Sequence, residues 1–211
     1  MREGRFLSRR GVLAGAGALL AATTIPASAD IVEAQYFDGL VPDNGKEYRK
    51  TKMTKIDRKL RRQLVKYPHH EPPGTIVVDT DNHFLYVTFE NNTALRYGVG
   101  VGKEGFQWFG RAKVQRKAIW PDWVPPPEML VRRPDLPRFV AGGIDNPLGP
   151  RAMYLYRDGV DLGYRLHGTV EPWSIGGDVS SGCIRMLPED VVDLYQRTPV
   201  GTDVLVLEHV G

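Results

Sequence analysis

Residues 74–101 read GTIVVDTDNHFLYVTFENNTALRYGVGV. TIVVDT (75–80), HFLYVTFE (83–90) and ALRYGVGV (94–101) are rich in β-branched and aromatic residues, which suit a pleated, half-buried surface. Asp81-Asn82 and Asn91-Asn92 separate them, and these residues tolerate turn geometry. The stretch predicts a three-stranded antiparallel meander. Outward from it, AKVQRKAIW (112–120), AMYLYRD (152–158), GYRLHG (163–168) and VGTDVLVLEHV (200–210) read as further strands. PEDVVDLYQR (188–197) carries the one full set of helix signals. Pro188 suits a first turn, Glu189 and Asp190 suit the positive N-terminal end, and Val191, Leu194 and Tyr195 share a face. Helices do not alternate with strands, which argues against a parallel α/β sheet. The expectation is a mostly β domain, sandwich or barrel-like, with one principal helix and long loops.

One of those long segments is PDWVPPPEMLVRRPDLP (121–137), which holds six prolines. Proline locks φ and offers no N–H, so this is neither a central strand nor a long helix. Glu128 to Arg133 has room for a single helical turn. An ordered excursion of this kind often serves as a wall or lid over a site.

The chain begins MREGRFLSRRGVLAGAGALLAATTIPASAD: a basic start, an apolar run from Gly11 to Ile25, and the cleavage pattern Ala27-Ser28-Ala29. Residues 1–29 are therefore expected to be an export signal, and Arg9-Arg10 resembles a twin-arginine signal; an ordinary secretory signal is the alternative. Either way the mature chain is expected in the periplasm or cell envelope, with no membrane span after cleavage. Taking the leader's four arginines and one glutamate from 28 basic and 25 acidic residues leaves 24 of each. The basic character belongs to the leader and is no argument for a nucleic-acid partner. Residues 30–73 read as a charged arm lying across the surface of the domain at 74–211. Met53, Ile56, Leu60 and Leu64 could form the stripe of a short helix within it. His69-His70 sits among prolines without a third ligand, so no metal site is expected there.

SSGCIRM (180–186) holds the only cysteine. A buried structural cysteine is the plain reading. Against it, Cys183 lies in a Ser-Ser-Gly loop, where backbone N–H groups of the Gly182–Cys183 turn can converge on an oxyanion. An exposed thiol outside the cytoplasm is also a liability unless used. His167 ends a strand and is followed by Gly168-Thr169. An imidazole beside the thiol would take its proton to give a thiolate–imidazolium pair, and the thiolate would attack a carbonyl. The backbone carbonyl of Gly168 is a candidate to orient the ring.

HGTVEPWSIGGDVSSGCIRM (167–186) resembles the signature of the L,D-transpeptidase catalytic domain, the YkuD-type family: His-Gly, an intervening loop, then Ser-His-Gly-Cys, an aliphatic residue and Arg or Asn. His167, Gly168, Ser180, Gly182, Cys183, Ile184 and Arg185 match; Ser181 stands where the family commonly has histidine. GTIVVDTDNHFLYV (74–87) and RYGVGVGKEG (96–105) resemble the family's opening strands and the segment after them. The resemblance implies Cys183 as nucleophile, His167 as general base and acid, Gly168 as orienting carbonyl, and Arg185 and Ser180 near the substrate. Trp173, Trp120 and Trp123 would shape the groove. It implies peptidoglycan stem peptides as substrates, cross-linked through a thioester with no metal or cofactor. The acyl acceptor stays open: a stem amine, water (an L,D-carboxypeptidase) or the amine of an envelope protein. A non-catalytic wall-binding protein is the structural alternative. A papain-like protease is disfavoured, because there the cysteine precedes the histidine.

Overall fold

The computed structural model describes residues 34–68, 70–104, 106 and 108–208. The expected export signal, the start of the arm and His69 lie outside the described residues.

The arm carries more structure than its charge suggested. β1 (Phe37–Asp43) and β2 (Lys46–Thr51) form an antiparallel hairpin. Two 3₁₀ turns follow, Met53–Lys55 and Arg58–Leu60, in place of the helix that the apolar spacing allowed. β3 (Gln63–Lys66) then joins the main sheet. Ile56 and Leu60 are buried with Ile175 and Leu187, while Met53 and Leu64 are exposed. The hairpin is tied down by Asp43, whose carboxylate takes two 2.6 Å hydrogen bonds from the Arg151 guanidinium. That pair is almost wholly buried, with side chains 4% and 11% exposed. Arg151's hydrogen bond to the Asp43 carboxylate holds it below its ordinary value against the effect of burial.

The meander forms as β4 (Ile76–Asp79), β5 (Phe84–Phe89) and β6 (Thr93–Gly102). Asn91 and Asn92 both have φ near +55, 59° and 53°, the left-handed geometry of a tight hairpin turn. β7 (Gly110–Ile119) leads into the proline-rich excursion, where Pro127–Arg132 makes one short helix, α1. β8 (Arg151–Arg157) and β9 (Val160–His167) form the next hairpin. Two three-residue strands flank the cysteine, β10 (Asp178–Ser180) and β11 (Ile184–Met186). The expected helix, α2 (Pro188–Arg197), precedes β12 (Asp203–Val206).

The sheet closes on itself in the order β6, β11, β9, β8, β7, β12, β4, β5 and back to β6. It is mixed rather than antiparallel throughout: β12 runs parallel to β4, β11 to β9 and β10 to β6. Parallel pairing requires a long connection between partners. The loops and α2 supply it without the regular strand–helix alternation that would have announced it.

Alternation along the strands sets the inside. Ile76 and Val78, Leu85 and Val87, Tyr97, Val99 and Val101, Met153 and Leu155, Leu166, Ile184 and Met186, and Val204 and Val206 form one buried cluster. Val191 and Leu194 of α2 belong to it too. The opposite face of β6 presents Gly98, Gly100 and Gly102. A Cβ on Gly98 would run into the Leu60 backbone, and one on Gly100 would sit 2.7 Å from the Ser174 carbonyl oxygen. These bare positions let the arm and the loop before β10 lie flat on the outer face of the barrel.

Candidate active site

β9 and β11 are parallel neighbours, with Leu166 beside Ile184 and His167 beside Arg185. Leu166 and Ile184 face the core, so the alternation turns Arg165, His167 and Arg185 outward. Cys183, immediately before β11, continues this outer row beside Arg165. Two outer rungs result. One runs Ala152, His167, Arg185, Gly100. The small residues at its ends leave lateral room for the imidazole and the guanidinium. The other runs Arg116, Tyr154, Arg165 toward Cys183. Register therefore makes His167 and Cys183 diagonal neighbours on one face, the kind of spacing that long and aromatic side chains bridge.

The cysteine turn is pinned by Ser180. Its hydroxyl donates to the Cys183 carbonyl at 2.6 Å and accepts from the Gly182 N–H at 3.1 Å. Gly182 has φ of 104°, and a Cβ there would collide with the Tyr164 ring. Only glycine fits this turn without displacing that ring. The Gly182 N–H is thus occupied in the free site, and an oxyanion would have to compete for it.

His167 is 5% exposed. Its Nδ1 lies 2.5 Å from the Gly168 carbonyl oxygen. A carbonyl only accepts, so Nδ1 carries the hydrogen and Nε2 keeps its lone pair. Burial, with the charges of Arg185 and Arg165, pushes the imidazole down to about 3, against the Gly168 bond that favours its cation. Burial pushes the Cys183 thiol up, opposed by the charge and hydrogen bonds of Arg165 and by Arg185. Both shifts favour the neutral thiol and the neutral imidazole over the expected thiolate–imidazolium pair. Burial and the neighbouring cations both disfavour imidazolium, whereas for the thiolate burial and the cations act in opposite directions.

Arg185 donates to Glu171 at 2.5 Å, so its charge is balanced in the free site. α1 reaches over the cysteine loop. The Arg132 guanidinium lies 3.5 Å from the Ser181 hydroxyl and 4.8 Å from the centre of the Phe106 ring. The proline-rich excursion thus borders the site. The tryptophans sit differently. Trp173 packs its ring against Tyr36 of the arm, centroids 5.5 Å apart. Trp120 is buried and donates from Nε1 to the Asp43 carbonyl oxygen, and Trp123 bridges to Val140. Among the described residues no group of three or more His, Cys, Asp or Glu is placed to hold a metal, and no helix is long and apolar enough to cross a membrane.

Sequence reasoning passed over Arg165 and Glu171. Arg165 was within reach: it stands two positions before His167 in a strand, hence on the same face. Glu171 lies in a loop, and no local signal ties it to Arg185.

Residues 73–206 match the family model of the L,D-transpeptidase catalytic domain. Over 143 residues the chain is 34% identical to the probable L,D-transpeptidase ErfK/SrfK of Escherichia coli, covering 64% of this chain and 44% of that one. It therefore spans less than half the length of that relative. A crystal structure from Brucella melitensis titled as a probable carnitine operon oxidoreductase is 46% identical, over 74% of this chain and 99% of that one, with a TM-score of 0.49. The Ldtfm-avibactam carbamoyl enzyme is 20% identical over 66% of this chain and 51% of that one, with a TM-score of 0.50. That last likeness concerns the fold alone.

Proposed function

The chain belongs to the L,D-transpeptidase catalytic domain family, and on that premise we propose that it is a cysteine-dependent peptidoglycan L,D-transpeptidase of the cell envelope, exported by its leader. The observation that carries this reading is the outward row on β9 and β11, where register puts Cys183 diagonal to a histidine whose free nitrogen is Nε2.

Cys183 attacks the carbonyl of an L-configured centre in a donor stem peptide as Nε2 of His167 takes the thiol proton. Both groups start neutral, so proton transfer accompanies attack instead of preceding it. Gly168 orients the ring through Nδ1. The backbone of the Gly182–Cys183 turn stabilises the oxyanion as Ser180 yields the Gly182 N–H. His167 returns the proton to the leaving D-amino acid, and a thioester remains on Cys183. An amine of a second stem, or of an envelope protein, attacks the thioester, gives its proton to His167 and releases the thiol. Arg185, freed from Glu171, faces a substrate carboxylate. Ser180 acts through the shape of the turn, and Trp173 lies at the margin beside the arm.

The test is incubation of the mature chain with purified sacculi, followed by muramidase digestion and mass spectrometry. New cross-links between L- and D-centres, absent with Cys183→Ala, are the expected result. Shortened stems without cross-links would identify water as acceptor, and unchanged muropeptides would refute the reading.

A further inference from the structure

The outer rung next to the nucleophile holds a cation that the catalytic scheme does not use. The Arg165 guanidinium lies 5.0 Å from the centre of the Tyr154 ring, and Arg116 covers the same ring at 3.4 Å. Tyr154 is itself buried and registered between the two arginines. Arg165 Nη1 also donates to the Gly163 carbonyl at 2.5 Å. Gly163 lies where the β8–β9 register shifts between Tyr154 and Tyr156. A bulge at this point re-aims the residues beside it. Ring and bulge together fix the guanidinium on the row that leads to Cys183.

The charged and titratable groups around the sulfur are few. β9 contributes Tyr164, whose ring packs on Gly182, with Arg165 and His167; β11 contributes Arg185, and α1 brings Arg132 to the Ser181 hydroxyl. Arg185 is already paired with Glu171. Among the described residues no carboxylate forms an ion pair with Arg165, which the β9–β11 register sets beside Cys183 and whose charge favours the thiolate. His167 is neutral and supplies no charge at rest. Of the two cations without a carboxylate, Arg132 is held against the Ser181 hydroxyl and the Phe106 ring, and Arg165 is the one that the strand register sets beside Cys183.

We propose that Arg165, braced on the Tyr154 ring, is the electrostatic partner of the Cys183 sulfur, offsetting the negative charge that the sulfur carries as a thiolate. This deepens the acyl-transfer reading and rests on it for its biological meaning. The sulfur's ionisation, however, is measurable without any substrate. A guanidinium suits this position because it remains charged at every relevant pH and lies flat on an aromatic face. An opposite charge within ~4–6 Å commonly moves an ionisation midpoint by about 1–3 pH units.

The experiment measures the iodoacetamide alkylation rate of Cys183 against pH in the full mature chain, for wild type, Arg165→Gln and Arg165→Lys, with circular dichroism as the fold control. The midpoint is expected to rise by about one pH unit or more in Arg165→Gln and to return part of the way in Arg165→Lys. With stem peptide as donor, Arg165→Gln should lower kcat and leave KM little changed. If Arg165→Gln does not fold, Tyr154→Leu removes the brace and should move the midpoint the same way by less. Coincident profiles for wild type and the folded variant would overturn the proposal. So would an unmoved profile with a raised donor KM, which would make Arg165 a substrate ligand. A chain that alkylates as expected but cross-links nothing would instead count against transpeptidation and leave the role of Arg165 standing.

Discussion

The inward and outward faces of β9 and β11 are made of alternate residues from the same two short segments. Inward stand Leu166, Ile184 and Met186, each at most 2% exposed. Outward stand Arg165, His167 and Arg185, with Cys183 leading in. The inner face is apolar and close-packed, so it fixes the strands to within a fraction of a side chain. The outer face inherits that placement and carries the candidate site's side chains on it. Three cationic or basic groups crowd one thiol there, an arrangement that burial would penalise if its purpose were stability. The contrast teaches that substitutions on the two faces should separate cleanly, inner ones acting on stability and outer ones on reactivity.

The largest separation is expected at Cys183. Cys183→Ala should abolish cross-linking while the melting temperature stays near wild type; loss of both together would break the contrast. His167→Ala should lower kcat by about 10²–10⁴-fold, the range for a lost general base. Because the resting imidazole is neutral, the same variant should leave the alkylation midpoint of Cys183 nearly unmoved. The imidazole's depressed value also predicts no acid limb near pH 6.5 in kcat/KM; Nε2 stays available down to about 3. A limb near 6.5 would mean that the ring is not desolvated as described.

On the inner face, Leu166→Ala should cost about 2–5 kcal/mol in chemical denaturation, and the folded fraction should keep its kcat. An unchanged stability would place Leu166 outside the packed core. The smallest effect concerns α2. Burial raises the Asp190 carboxyl to about 7, against the charge of Arg62 from the arm. A folded state that holds this proton more tightly than the unfolded chain loses stability as pH rises from about 4 to about 7. His167 acts with the opposite sign. Its folded value of about 3 lies below the unfolded one, so its contribution is present above about 6.5 and is lost as pH falls toward 3. The two trends overlap and offset. Asp190→Asn should uncover the histidine's trend, giving stability that climbs between pH 4 and 7; a pH profile identical to wild type would show that Asp190 is solvated.

Legibility in the sequence followed the length and polarity of each element. The meander and α2 were readable because alternation ran long enough to count and because proline and acids marked the helix start. α2 falls on its expected residues, Pro188–Arg197. β10 and β11 are three residues each, too short for any period, and they pair through contacts distant in sequence. β2 was hidden by lysine and arginine, whose long stems cover apolar surface while their charges stay in water, and β1 by the aspartates, glycine and proline that interrupt its apolar residues. Their anchoring depends on Arg151, more than a hundred residues away. At the site, Cys183, His167 and Gly168 were readable as a motif. The neutral resting pair was not, because it depends on burial and on two arginines brought together by register. Nor was the tie from Ser180 to Gly182, which appears only once the turn is built.

Intact-mass spectrometry of the mature chain, acid-quenched within its first turnovers on a tetrapeptide stem donor, tests the central claim most directly. The account predicts an adduct with the mass of the donor less its terminal D-amino acid, mapped by digestion to Cys183 and missing from Cys183→Ala. An adduct on another residue, or cross-linked product formed with the sulfur left unmodified at every time point, would contradict it.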